Sequence, residues 1–158
     1  MVSLTRTDAP APETSPSPAL TRMTVLVFAV TAGSSAAGNY YLQPLLHEVA
    51  ADLSVSTASA ALLVSAAQIG YLCGLAFLVP LGDFLRRHRM VPALLLASVA
   101  ALLVSAVAPN FAVLFAGVAA TGVAASAAQV VVPWASALAD PARRGQVVGT
   151  VMSGLLLG

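Results

Sequence analysis

The chain has no lysine, a single cysteine, a single tryptophan, and charged residues at only 8% of its 158 positions. Each shortage excludes something. A soluble domain carries about 25% charged residues. With so few, a soluble fold of this length could not cover its surface, and 59% of the residues are hydrophobic. One cysteine, Cys73, inside an apolar run rules out a disulfide framework. His47 and His88 fall at opposite ends of apolar runs and cannot share a metal. No Ser/His pair and no His/Glu cluster with ligand spacing occurs within the runs. An enzyme is therefore poorly supported, and no metal or cofactor is expected. The net charge of +1 gives no bulk attraction to nucleic acid.

What the chain does have is long apolar runs. A helix needs about 20 apolar residues to span a bilayer. Met23–Leu46 and Leu53–Gly82 carry no Lys, Arg or Asp, and the second is expected to begin its helix near Thr57, behind a Ser/Thr cap. Met90–Ala108 is a third, shorter span. Pro109-Asn110 makes a tight turn. Phe111–Ala139 is a fourth, long enough to be tilted or kinked, with Pro133 the expected kink. Gly145–Gly158 starts a fifth helix, and its 14 residues cover roughly 21 Å of a roughly 30 Å hydrocarbon core. The sequence is expected to be truncated there. Residues 1–22 are polar, with Pro10, Pro12, Pro16 and Pro18, and are expected to form a disordered tail.

All seven cations are arginines, and they alternate between the gaps. Arg6 and Arg22 precede the first run. Arg86, Arg87 and Arg89 follow the second, and Arg143 and Arg144 follow the fourth. The intervening gaps hold no cation, and one of them carries Glu48 and Asp52. Loops on the cytoplasmic side carry the excess of Arg and Lys. This distribution implies a multi-pass cell-membrane protein with a cytoplasmic N-terminus, embedded in membrane lipid.

Small residues crowd the spans, at Gly70, Gly74 and across Gly117–Ala128. In lipid such residues let helices approach closely. No acid, arginine or histidine lies within the first four spans, where a charge would mark an ion pathway. Uncharged polar groups remain: Asn39, Tyr40 and Gln43 at the end of the first run, Gln68 and Tyr71 in the second, and Gln129 in the fourth. Interhelical hydrogen bonding and interfacial anchoring explain these residues without any ligand. They are also the candidates for lining a cavity that holds a small neutral or weakly polar molecule.

The loop Val79-Pro80-Leu81-Gly82-Asp83-Phe84-Leu85-Arg86-Arg87-His88-Arg89 is the most informative segment. Asp83 falls at a helix C-terminus, where the macrodipole disfavours an acid. At this loop the chain resembles the major facilitator superfamily. That family carries Gly-x-x-x-Asp-(Arg/Lys)-x-Gly-x-(Arg/Lys)-(Arg/Lys) after its second span. Asp83 and Arg89 match, and His88 takes a basic position. Val79, Phe84 and Arg86 depart from the pattern. Asn39-Tyr40-Tyr41-Leu42-Gln43-Pro44, Ala67-Gln68-Ile69-Gly70-Tyr71 and Arg143-Arg144-Gly145 are similar to bacterial drug- and sugar-efflux-like members.

The resemblance implies an all-α multi-spanning membrane helix bundle, a partial major-facilitator fold of four complete transmembrane helices and a truncated fifth. It implies secondary transport of a small-molecule substrate by alternating access, with the missing C-terminal half as partner. It makes Asp83 a latch, and Arg87 a base that pairs with the acid Asp140 to hold a cytoplasmic gate, with Arg89 completing the motif. Where the family's fourth helix often carries an Arg four residues before a Gly, alignment on Gly122 places Val118. The alternative is a small oligomerising helical bundle with a structural or signalling role.

Overall fold

A computed structural model describes residues 20–84 and 86–158. Most of the expected tail, residues 1–22, lies outside them. Among the described residues the structure is helical, without strands.

The first helix, α1 (Arg22–Tyr40), starts where the Thr21 hydroxyl accepts the Thr24 N–H at 3.2 Å. It stops at Tyr40, short of the expected Leu46. Pro44 has no N–H to return to the Tyr40 carbonyl, so the chain tightens into a 3₁₀ turn at Gln43–Leu45. A short α2 (Leu46–Asp52) follows. It ends on Ser54 in the left-handed region, φ 53°, while the Ser54 and Val55 amides return to the Ala51 and Ala50 carbonyls.

The expected start near Thr57 is present. In α3 (Thr57–Cys73) the Ser56 hydroxyl accepts the Ser59 N–H at 3.1 Å. The helix widens into one π-helical turn at Gly74–Leu78 and continues as α4 (Val79–Phe84). Pro80 cannot bond the Ala76 carbonyl, and the widened turn just before it accommodates the proline ring. Next comes α5 (Arg87–Ala106), which begins three residues before the expected Met90. Asn110 caps α6 (Phe111–Ala125) by accepting the Val113 N–H at 3.0 Å.

The fourth run breaks at Ser126 rather than at Pro133. The Ser126 hydroxyl donates to the Val123 carbonyl at 2.8 Å, which closes a tight turn and restarts the chain as α7 (Ala127–Leu138). Pro133 lies inside α7 without interrupting it. The last helix is α8 (Arg144–Leu157).

Three continuous stretches are long and apolar enough to cross a membrane: Thr57–Gly82, Arg87–Ala106 and Phe111–Leu138. The expected first span, α1, has 19 residues, about 28 Å at 1.5 Å per residue. Ser34, Ser35 and Asn39 leave it less apolar than the other three.

The Phe111–Leu138 stretch is the centre of the bundle. More of its apolar window is buried (56%) than of Thr57–Gly82 (28%) or Arg87–Ala106 (22%). It packs on α1, α3 and α5. Gly70 and Gly122 seat α3 against α6, and Gly33 and Gly154 seat α1 against α8, so close that a Cβ at any of these positions would meet the partner backbone. One apolar cluster joins Phe28, Met90, Leu94, Val131 and Val151, with the Phe28 and Trp134 rings edge to face at 5.1 Å. A second joins Leu42, Leu63, Ala67, Leu114 and Val118 at the other end. Val118, where the resemblance would put an Arg, is 1% exposed and packs inside that cluster.

Candidate transport cavity and gate

Four of the six residues expected to line a cavity do meet around one. A concavity of about 400 Å³ opens between α1, α3, the α6–α7 break and α8. Its walls include Asn39, Tyr40, Tyr71 and Gln129. The small residues Ser35, Ala36, Ala125 and Ala128 open it, and Leu155 and Leu156 close one side. Gln68 is half-buried and Gln43 is exposed on the 3₁₀ turn, and neither lines the concavity. Ser35 does line it and was not expected. Its position one helical turn before Asn39 was the available signal.

The polar groups of this wall are arranged unevenly. The Gln129 side-chain N–H donates to the Tyr71 hydroxyl at 2.9 Å, bridging α7 and α3. That leaves the Tyr71 hydroxyl hydrogen and the Gln129 carbonyl oxygen for other partners. The Ser35 hydroxyl is taken by the Thr31 carbonyl at 2.9 Å. Asn39 is 8% exposed, and its side-chain oxygen is buried with no donor among the described residues. The Tyr41 hydroxyl is buried and unpartnered as well. Among the described residues, no acid, arginine, lysine or histidine lines the concavity.

The gate candidates lie at the end of the bundle where α4 and α7 finish. Asp83 is the penultimate residue of α4. Arg87, the first residue of α5, reaches back to the Gly82 carbonyl through Nε at 3.2 Å. Helix C-termini leave such carbonyls without intrahelical partners, and a cation there also suits the macrodipole. Arg144, the first residue of α8, does the same for α7, donating to the Ser136 carbonyl at 3.1 Å. Both of these loops are thus closed by the arginine that opens the next helix. Arg144 was not expected in this role; the signal was a cation at a helix N-terminus, where the macrodipole disfavours it. Arg89 is exposed in the first turn of α5. Asp140 accepts the Ala142 N–H at 2.8 Å and makes no ion pair among the described residues, so this conformation does not join Arg87 to Asp140. Asp140 instead borders a second hollow of about 280 Å³ with Arg22, Arg143 and Gln146.

Residues 28–158 match the family model described as Major Facilitator Superfamily. The chain belongs to the major facilitator superfamily. It is 43% identical over 145 residues to the "Putative uncharacterized transporter YgaY" of Escherichia coli strain K12 and to the "Uncharacterized transporter YgaY" of strain O157:H7, matches covering 92% of this chain and 37% of those proteins. It is 40% identical over 79 residues to "Probable transporter SCO4007" of Streptomyces coelicolor, covering 50% of this chain and 18% of that protein. The chain therefore spans well under half the length of these transporters. No solved structure gives a significant match. Membership and the apolar helices together make this a multi-pass membrane protein of a transporter family.

Proposed function

We propose that the protein is a secondary transporter that moves a small uncharged or weakly polar solute outward across the cell membrane by alternating access. The observation that carries this reading is the concavity between α1, α3, α7 and α8. It is wide enough for a small molecule, has hydrogen-bonding groups on its wall, and has no ionised group. Major-facilitator transporters bind their substrates near the midplane between two repeated halves. Further helices of the transporter then close the open side of this concavity. The arginine distribution supports a cytoplasmic N-terminus, with the α4–α5 and α7–α8 loops on the same side.

In this reading Asp83 latches the cytoplasmic side, with Arg87, Arg89 and Asp140 around it. The Arg87–Asp140 pair belongs to the opposite state of the cycle from the conformation described above. Losing one charge-assisted hydrogen bond changes one state by about 1.5–3 kcal/mol, enough to shift an alternating equilibrium tenfold or more. The test is flux of labelled uncharged solutes into proteoliposomes. Saturable flux is expected with the wild-type protein, and Asp83→Asn should lower it at equal membrane abundance. Undiminished flux in Asp83→Asn removes the latch. No saturable flux for any uncharged solute contradicts the transport reading.

A further inference from the structure

The Asn39 amide has no explained role in packing. It is more than nine-tenths buried, its oxygen has no donor, and its residue lines the concavity. Burying an unpaired carbonyl is costly, and buried polar side chains in folded proteins nearly always find a partner. On the wall of the same concavity, the Gln129–Tyr71 bridge holds a second amide and a phenol, each with hydrogen-bonding capacity left over.

We propose that Asn39, with the Tyr71–Gln129 pair on the same concavity, forms a hydrogen-bonding subsite for a hydroxyl- or amide-bearing uncharged solute. This rests on the reading that the concavity carries the transported molecule. Three features select that chemistry. First, the unsatisfied atom is an acceptor that is sealed from the concavity in this conformation, so a turn of the amide must bring it to a ligand that carries a donor. The terminal torsion of asparagine is broad and two-fold, so the amide can turn either end to the concavity. Second, amides and phenols both give and take hydrogen bonds, which suits groups that do the same. Ionised ligands find no countercharge on this wall, and a buried unpaired charge is far costlier than a buried neutral group. Third, Ala36, Ala125 and Leu155 form apolar wall between the polar points, so the solute carries an apolar face as well.

Sites built to hydrogen-bond a hydroxyl or N–H reject analogues that lack it, because the polar groups of the protein are then left unpaired. Matched probes exploit this. One pair is 4-nitrophenyl β-D-glucopyranoside and its tetra-O-methyl ether. The other is acetanilide and N-methylacetanilide. The protein in lipid nanodiscs is heated with each probe at millimolar concentration, and binding is read as a rise in the unfolding midpoint. At least one donor-bearing probe should raise the midpoint while its methylated twin does not. Asn39→Leu should weaken that binding about tenfold or more. Without ligand, the same variant should unfold no earlier than wild type, since it removes an unpaired acceptor and keeps the side-chain size. Tyr71→Phe, which keeps the ring, should weaken binding too.

Equal binding of the methylated twins, unchanged binding by Asn39→Leu, or no binding by any probe would each overturn the subsite. A lower midpoint for unliganded Asn39→Leu would also overturn it, by showing that the amide is paired within the protein. If Ala36→Cys reacts with thiol reagents from both sides of the membrane while the probes fail, transport through the concavity stands and only the Asn39 subsite is lost.

Discussion

Replacing Gly122 by alanine should separate α3 from α6. A Cβ on Gly122 would meet the Ala67 carbonyl oxygen and lie 3.1 Å from the Ala67 Cα; one on Gly70 would meet the Ala119 carbonyl oxygen and lie 3.2 Å from the Val123 nitrogen. Both obstacles are backbone, which cannot swing aside as a side chain can. The helices must move apart, and a gap of about 0.5–1 Å already forfeits a quarter to a half of each contact's attraction. In lipid that loss is not repaid by a hydrophobic term, because helix association rests largely on close packing. Overpacking costs about 1–3 kcal/mol, and backbone obstacles put Gly122→Ala near the upper end. The better helix propensity of alanine returns about 0.5–1 kcal/mol. Gly149→Ala measures that return alone, because a Cβ there meets nothing within 4 Å. Once one methyl has opened the seam, the second costs less, so Gly70→Ala with Gly122→Ala should fall short of additivity by about 1 kcal/mol. Reversible unfolding in mixed micelles gives all four values. Gly122→Ala at or above wild-type stability, or strict additivity of the pair, would refute the seam.

Two further outcomes follow from the same geometry. Ser54 holds a left-handed backbone at φ 53°, a conformation that costs a non-glycine residue roughly 1–2 kcal/mol. Ser54→Gly should therefore raise stability by up to about 1 kcal/mol in the same unfolding assay, and a loss of stability would show that the hydroxyl matters more than the strain. Cysteines placed singly at Asp52 and Arg89 in a Cys73→Ala background should report the orientation. The first should react with an impermeant thiol reagent in intact cells and the second only after lysis; the reverse pattern overturns the arginine-based topology.

The helices were largely legible because lipid imposes one strong rule. Backbone groups must pair internally, so long charge-free runs become helices. The Ser/Thr cap before Thr57 was legible for the same local reason, an oxygen-bearing side chain just before an apolar run, whereas Asn110 was read only as part of a turn. The irregularities were harder to read. Pro133 looked like the kink, yet the break falls at Ser126, where a buried serine hydroxyl turns back on its own helix beside Gly74. Nothing in the local sequence, a serine among alanines, separates Ser126 from the half-buried Ser105 and Ser136. The end of α1 was misplaced for a reason visible afterwards, the missing N–H of Pro44. Within the cavity, Asn39, Tyr40, Tyr71 and Gln129 were identifiable as the polar exceptions in apolar runs. Gln68 and Gln43 had the same chemistry but do not line the concavity: Gln68 is half-buried within α3, and Gln43 sits exposed on the 3₁₀ turn that Pro44 imposes. The carbonyl-capping arginines lay in plain view, but their number suggested only orientation.

Alternating access is the central claim, and one labelling experiment tests it most directly. Ala36 lines the concavity and is small enough to replace by cysteine without filling it. In the Cys73→Ala background, Ala36→Cys should react with impermeant thiol reagents in both right-side-out and inside-out vesicles. Asp83→Asn should change the ratio of the two rates, because in the proposed latch role Asp83 sets the balance between states. Reaction from one side only, in every variant and at every solute concentration, would show a static pocket and contradict the account.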